Sequence, residues 1–251
     1  MPNRTLLSPR LLLRLLSPFA EFLFPRVCLV CGERRESAAS LVCSGCWSQV
    51  GRITREAPLY RETFEKITRE RRVADVVSAI VVERKGPLQV MIHALKYGGV
   101  TAIGLELGGI VADLVAGGSA GLEGVVSVPL HRVKQRERGY NQAEVIARGI
   151  SSRLGIPMIS GALVRLRYTS TQTHLGLEER RANLAGAFGV SAACRPVVHG
   201  KMLLLVDDVI TTGSTITEAA DVLVSAGAAE VIACSVAIAR LESPWPGPAP
   251  V

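Results

Sequence analysis

Two adjacent carboxylates, Asp207 and Asp208, follow an apolar run and directly precede a turn rich in hydroxyl groups and glycine. The run at residues 202–206 predicts a buried strand, and residues 215–225 have the apolar spacing of an amphipathic helix. Ligands of open α/β sheets bind where strands end, and the first N–H groups of a helix bind phosphate. Gly213 allows a backbone turn that points several N–H groups inward. The segment therefore predicts a phosphate-ester site flanked by two acids.

Other strand-loop-helix patterns do not fit this segment. A Walker A loop needs a lysine after its last glycine, where this chain has Ser214, and no GxGxxG follows any predicted strand. A two-component receiver domain needs a phosphoacceptor aspartate further along, but the only later aspartate is Asp221, on the predicted helix. A simple N-capped helix explains the threonines and serine but not the two carboxylates.

Four of the six cysteines form a second chemical pattern, Cys28-x2-Cys31-x11-Cys43-x2-Cys46. Each CxxC places two thiolates on one turn, and two such turns can surround Zn²⁺ tetrahedrally, which predicts a closed, structural zinc site. The alternative is two disulfides or a redox pair. No cleavable signal peptide is expected, so we expect the protein to be cytoplasmic. The cytoplasm keeps thiols reduced, which favours zinc over disulfides. Cys234 is expected in the core, and Cys194 is assigned no role.

The elements that must position these residues alternate between strands and helices after residue 75, which predicts an α/β fold with a largely parallel sheet. Strands are predicted at 76–82, 124–130, 163–166, 186–190, 202–206 and 230–239, and helices at 88–97, 103–115, 142–154, 215–225 and, as a short polar turn, 177–183. We expect three regions: an N-terminal helix and cysteine region at 1–75, the α/β domain at 76–241, and a disordered proline-rich tail at 242–251.

Composition and charge narrow the function classes. The 251 residues are 48% apolar, enough for a sizeable core, and no uncharged apolar run approaches 18 residues, so no membrane span is expected. The net charge of +7 is uneven: residues 201–251 carry −4 and residues 1–200 carry +11. This division suits an anionic ligand held with a divalent cation, although a compositional bias towards arginine explains it equally well.

The chain resembles the ComF/GntX family, in which a zinc ribbon precedes a type I phosphoribosyltransferase domain. The acidic pair and its turn resemble the phosphoribosyl-pyrophosphate (PRPP) motif of that superfamily. The further segments that carry the resemblance are the four cysteines, His93-Ala-Leu-Lys96-Tyr97, Val128-Pro129-Leu130-His131, Arg138-Gly139-Tyr140-Asn141-Gln142, Thr169-x-x-Gln172, and Arg180-x-x-Asn183 before Ala187-Phe188.

The resemblance implies roles for the acidic pair and its turn. Asp207 and Asp208 would face the ribose hydroxyls of PRPP, and Mg²⁺ would bridge ribose and pyrophosphate. Carboxylates near the ribose would stabilise the positive charge that develops on the ring. The residues expected to bind the 5-phosphate are Val209, Ile210, Thr211, Thr212, Gly213, Ser214 and Thr215.

It also implies where the pyrophosphate would lie. Pro129, Leu130 and His131 end a predicted strand at the same sheet edge and are candidates for the pyrophosphate loop. Arg138, with its basic neighbours from residue 132 onwards, would form a mobile basic loop over the site, or simply a solvated surface. Lys96 would reach pyrophosphate or cap its helix.

Two hypotheses of function follow. The first is a phosphoribosyltransferase that passes the 5-phosphoribosyl group of PRPP to an unidentified nitrogen acceptor, although the residues reveal no general base. The second is a non-catalytic accessory factor for DNA uptake that contacts single-stranded DNA or partner proteins. Aromatic residues are only 4% of the chain, so DNA contacts would be mainly to phosphates.

Overall fold

The computed structural model describes residues 25–69, 72–82, 86–118, 120–167 and 186–239. The predicted N-terminal helix, the polar turn at 177–183 and the proline-rich tail lie outside these residues, as do Gln172 and Asn183. The described chain divides into two compact units, residues 25–48 and residues 49–239. The domain boundaries at 75 and 241 remain predictions.

A four-stranded parallel sheet forms the centre of the larger unit. Its strands are β1 (Asp75–Val81), β2 (Leu122–Ser127), β5 (Met202–Ile210) and β6 (Glu230–Ile238), in the spatial order β1-β6-β5-β2. The two central strands, β5 and β6, are apolar along nearly their whole length because helices cover both faces. The predicted α/β fold with a largely parallel sheet is confirmed.

Helices cover the two faces of the sheet. One face carries α4 (Thr101–Val115) and α6 (Gln142–Leu154), with α3 (Pro87–Tyr97) against α4, and the other carries α2 (Pro58–Thr68) and α8 (Ser214–Ser225). Helices α4 and α6 approach closely at glycines: a Cβ on Gly108 would lie 2.3 Å from the carbonyl oxygen of Ile146. Side chains at this crossing would separate the two helices.

The smaller elements differ most from the sequence prediction. Strands β3 (Leu163–Arg165) and β4 (Phe188–Val190) pair antiparallel as a separate ribbon. The basic segment expected to be a mobile loop is instead helix α5 (Arg132–Arg138), and the prediction was wrong on this point because His131 caps the helix and Gly139 ends it. Helix α2 was not predicted, and α7 (Arg195–Val198) follows a 3₁₀ turn that contains Cys194. Cys234 is fully buried, as expected.

Strand β5 is longer than predicted. The apolar run indicated an end at Val206, but the strand continues through both aspartates to Ile210 because β6 pairs with it as far as Ile238. The acidic pair therefore lies within a strand and not in the loop after it.

The unit at residues 25–48 is built around the cysteines and one short helix, α1 (Ser44–Ser48). An isolated antiparallel bridge joins Val27 and Arg34 across the first CxxC turn. In the described part of the chain, no helix has the length and apolar character needed to cross a membrane.

Candidate phosphoribosyl site and cysteine centre

The two aspartates lie on opposite faces of the sheet. Leu203 and Leu205 belong to the core that α8 covers, and Asp207 continues that alternation. Asp208 lies on the other face, towards α3. Strands β1, β6 and β5 all extend past the level at which β2 ends, so the pair lies near the carboxyl edge of the sheet.

Asp208 is bound within the protein. The Nζ atom of Lys96, at the end of α3, lies 2.6 Å from Oδ2 of Asp208, and both side chains are less than one fifth exposed. The backbone N–H of Val209 donates to Oδ1 at 2.7 Å. One oxygen of the Asp208 carboxylate is therefore bound by the ammonium of Lys96, and the other by the backbone N–H of Val209.

Asp207 has a different environment. Its Oδ1 accepts the N–H of Asp208 at 2.8 Å. Burial and the neighbouring carboxylate of Asp208 raise the pKa of Asp207 to about 7, although Lys96 and Arg165 act in the opposite direction. Of the two adjacent acids, Asp208 is the one that has a paired lysine.

The turn after β5 leads directly into α8. Gly213 has φ +78°, and a Cβ there would lie 2.6 Å from Cγ1 of Ile67 on α2, so the turn requires glycine. The Oγ1 of Thr212 accepts the N–H of Ser214 at 3.3 Å, which uses this hydroxyl to shape the turn. Thr211 is exposed and Thr215 half-buried. The first N–H groups of α8 open onto this turn, as an anion site requires.

The predicted phosphate-binding residues therefore fall into two groups. Val209 and Ile210 lie inside β5, whereas the residues from Thr211 to Thr215 form the turn and the first helical residues. Which of them contacts a ligand stays a prediction.

The loop after β2 is fixed by Asn141. Strand β2 ends at Ser127 beside Val206, and the N–H of Val128 still donates to the carbonyl of Val206 at 2.8 Å. The buried side chain of Asn141 donates from Nδ2 to the carbonyl of Val128 at 2.9 Å and accepts the N–H of Ala143 at 3.2 Å. One amide thus caps α6 and holds the start of the loop that contains Pro129, Leu130 and His131.

The predicted loop residues have structural tasks of their own. The Nδ1 atom of His131 accepts the N–H of Val133 at 3.3 Å and so caps α5. At the other end of α5, the guanidinium carbon of Arg138 lies 5.3 Å from the ring centre of Tyr97, a cation–π contact with α3. Helix α5 is thereby placed against the end of α3 that carries Lys96.

Basic side chains from three elements are close enough to influence one another. Burial lowers the pKa of Lys134, and the positive charges of Arg138, Arg165 and Lys96 lower it further. Arg165 also acts on Asp207 and stacks on the ring of Phe188 at 5.3 Å. We define the basic group as Lys96, Lys134, Arg138 and Arg165. Two of its members, Lys96 and Arg165, act on Asp207, and together the four charges give a field suited to an anionic ligand.

Sequence reasoning missed the roles of Asn141 and Arg165. An asparagine directly before a predicted helix is a capping signal, so the cap of α6 was readable from the sequence. Nothing in the chain order signalled the approach of Arg165 to Asp207, because it depends on packing of the β3–β4 ribbon.

The four cysteines converge as predicted. Their Sγ atoms all lie within 4.8 Å of one another, and the Sγ atoms of Cys31 and Cys43 are 3.8 Å apart. A zinc tetrahedron with Zn–S of about 2.3 Å has sulfur–sulfur edges of about 3.8 Å, whereas a disulfide needs about 2.05 Å. No cysteine of the described residues is in a disulfide.

Backbone N–H groups also point at these sulfurs. Val30 and Cys43 donate to Sγ of Cys28 at 3.4 and 3.3 Å. Burial of Cys28 raises its pKa, but the hydrogen bonds of the surrounding N–H groups outweigh it and lower the pKa to about 6. These N–H groups stabilise the thiolate of Cys28, and the spacing of the four sulfurs fits a structural Zn²⁺.

Two domain families match the chain. Residues 99–245 match the phosphoribosyl transferase domain, and residues 19–58 match the double zinc ribbon domain. The fold and the first match, which covers more than half of the chain, define a protein with a phosphoribosyl transferase domain. The chain belongs to the ComF family of such proteins.

Its relatives include proteins named for competence and DNA use. It is 36% identical over 150 residues to DNA utilization protein YhgH of Salmonella typhi. The matched segment covers 58% of this chain and 64% of that protein, so the chain spans less than two thirds of that relative's length. It is 29% identical over 215 residues to Competence protein F of Haemophilus influenzae, 81% of this chain and 93% of that protein.

The fold was also compared with a solved structure of glutamine PRPP amidotransferase from B. subtilis. The two chains are 21% identical, with a TM-score of 0.39, and the match covers 58% of this chain and 30% of the amidotransferase chain. That likeness is too distant to support a functional argument.

Proposed function

We propose that this protein binds PRPP with Mg²⁺ and transfers its 5-phosphoribosyl group to a nitrogen acceptor. The observation that carries the proposal is the acidic pair near the carboxyl edge of the sheet, followed at once by the Gly213 turn at the start of α8. The family match supports the same ligand class.

The carboxylate oxygens of the pair fit Mg²⁺, which prefers hard oxygen ligands and is commonly held by one or two carboxylates together with substrate phosphates. Asp207 would supply such an oxygen, because only its Oδ1 is used by a backbone N–H in the described residues. When bound, Mg²⁺ would neutralise charge on the pyrophosphate leaving group.

The protein's own groups would then divide the work of binding. The N–H groups at the start of α8, with the hydroxyls of Thr211 and Thr215, would hold the 5-phosphate. The carboxylate of Asp207 would orient the ribose and stabilise positive charge that develops at C1 as pyrophosphate leaves. The basic group would hold the pyrophosphate on the opposite side of the ribose from the acceptor.

Calorimetric titration with PRPP and Mg²⁺ tests the proposal. The double variant Asp207→Asn/Asp208→Asn should lose at least about 100-fold in affinity, about 2.7 kcal/mol. The matched control is Asp113→Asn, which removes one charge from an exposed pair with Arg153. Unchanged affinity in the double variant would contradict the site, and a wild-type protein that does not bind PRPP would contradict the function.

Turnover is tested separately, by pyrophosphate release with a panel of nucleobases and amines. Release with one acceptor class, abolished in the double variant, identifies the acceptor. Binding without release from any acceptor leaves the protein a PRPP-binding factor and contradicts the transfer step.

A second function is proposed on the names of the relatives and on the charge of +11 in residues 1–200: an accessory factor in DNA uptake that binds single-stranded DNA or partner proteins. Contacts would be to phosphates, so binding should weaken steeply with salt. Gel-shift titration of a single-stranded oligonucleotide tests this, and no binding in dilute buffer would contradict it. A PRPP site could regulate such a factor, so the two functions are compatible.

A further inference from the structure

Lys96 makes the acidic pair asymmetric before any ligand binds. Its ammonium is 2.6 Å from Oδ2 of Asp208, and the N–H of Val209 occupies Oδ1 of the same carboxylate. Asp207 has one oxygen bound, Oδ1, and its Oδ2 has no hydrogen-bond partner among the residues that the structure describes. A ligand therefore meets one carboxylate that has an unbonded oxygen and one that is already neutralised.

The surroundings of Lys96 keep it in this position. The hydroxyl of Tyr140 donates to the carbonyl of Leu95, and Arg138 packs on the ring of Tyr97, so both neighbours of Lys96 are attached to the α5–α6 segment. The side chains of Lys96 and Asp208 are 18% and 16% exposed, which leaves little water to screen their attraction. Lys96 is thus part of a supported arrangement and not a surface lysine that meets an acid by chance.

This arrangement opposes the binding of a free divalent cation. Two carboxylates alone attract such a cation, but the ammonium of Lys96 lies where the cation would approach Asp208 and cancels its charge. The charge of Arg165, which acts on Asp207, repels a free cation as well. A cation that arrives with pyrophosphate is different, because the phosphate oxygens give the displaced ammonium a new partner.

We propose that Lys96 is a specificity-determining residue of the PRPP site: it keeps free divalent cations off the acidic pair and admits a cation that arrives with the pyrophosphate of PRPP. The proposal rests on the proposed function. It predicts that metal and PRPP bind together, and that the metal does not bind first.

Binding of Mn²⁺ without PRPP, measured by electron paramagnetic resonance, tests this directly. Lys96→Gln removes the charge but can still donate an N–H to Asp208, and it should bind Mn²⁺ about tenfold more tightly than the wild type. Lys96→Arg keeps the charge and should bind Mn²⁺ as weakly as the wild type. The control Lys201→Gln removes a lysine whose partner is Glu123, at the opposite end of β5, and should change nothing.

Equal Mn²⁺ affinity in Lys96→Gln and wild type would overturn the proposal, as would an Lys96→Arg variant that behaves like Lys96→Gln. Adding Asp208→Asn to Lys96→Gln removes the carboxylate that the loss of the lysine leaves unpaired, so this double variant should return to weak Mn²⁺ binding. Circular dichroism of each variant establishes that it is folded.

A measurement on the wild-type chain tests the proposal independently of any variant's Mn²⁺ affinity. The chain has five lysines, so their side-chain ¹³Cε signals can be resolved by nuclear magnetic resonance, and the signal missing from Lys96→Arg is that of Lys96. The signal should shift when PRPP and Mg²⁺ are added together and stay unchanged with Mg²⁺ alone. A shift with Mg²⁺ alone would contradict the proposal.

The two proposals fail differently. A wild-type protein that does not bind PRPP removes the proposed function. Normal PRPP binding with equal Mn²⁺ affinity in Lys96→Gln and wild type removes only the role of Lys96.

Discussion

Asn141 offers a sharp test of how the loop after β2 is held. Its buried side chain performs two tasks at once: Oδ1 caps α6 through Ala143, and Nδ2 donates to the carbonyl of Val128. Asn141→Asp separates them, because a carboxylate caps a helix well but cannot donate to a carbonyl when ionised.

The magnitudes follow from the two contacts. Loss of the cap costs about 1 kcal/mol, and leaving the Val128 carbonyl without a donor costs about 1–3 kcal/mol. Asn141→Ser keeps a cap and should lose about 2 kcal/mol of unfolding free energy, and Asn141→Ala, which loses both contacts, about 3 kcal/mol. At pH 8, Asn141→Asp should lose at least as much unfolding free energy as Asn141→Ser, because the aspartate also places a buried charge against a carbonyl oxygen.

The aspartate variant alone should depend on pH. Burial beside a carbonyl raises the folded-state pKa of the introduced carboxyl group above its unfolded value of about 3.9. At or below about pH 4 the protonated group donates to Val128 and stability is retained; as pH rises from the unfolded-state pKa through the folded-state pKa, stability is lost. The difference from wild type should therefore be small at pH 4 and full at pH 8.

Urea unfolding followed by circular dichroism, with wild type measured at each pH, checks this. Asn141→Asp as stable as wild type at pH 8, or a deficit equal at both pH values, would refute the reasoning. Because Val128 precedes the candidate pyrophosphate loop, we also expect Asn141→Ser to weaken PRPP binding.

Three further predictions concern the site, the helix crossing and the cysteines. With its pKa raised to about 7, Asp207 is about one tenth ionised at pH 6 and nine tenths at pH 8, so calorimetric PRPP affinity should rise about tenfold over that range, and invariance would contradict an ionised Asp207 in binding. Gly108→Ala should destabilise the protein by about 1–3 kcal/mol because its Cβ meets a backbone carbonyl, whereas Gly109→Ala, with open space, should stabilise it by up to about 1 kcal/mol; equal effects in thermal unfolding would disprove the close crossing. Metal analysis should find about one zinc per chain, lost in Cys46→Ser; metal-free folded protein would contradict the zinc site.

Much of the fold was readable because its pattern is local. The strand at β6 and the helix at α6 were predicted nearly residue by residue, since a continuous apolar run and a capped amphipathic repeat each have few other solutions. The cysteine spacing likewise predicted a cluster that the structure assembles. Helix α5 was missed because its basic sequence has no apolar face; in the structure His131 caps it, Gly139 ends it and Arg138 contacts Tyr97 of α3.

The amino-acid sequence by itself determined which groups are present: two neighbouring acids, a glycine turn before a helix, and four cysteines at ligand spacing. Only the tertiary structure decided how the acids differ. Strand alternation sends Asp207 and Asp208 to opposite faces, and the packing of α3 brings Lys96, more than 100 residues earlier in the chain, to just one of them. Coulomb forces act over distance in space, so a charge pair between such remote residues exists only once the sheet and its helices have formed.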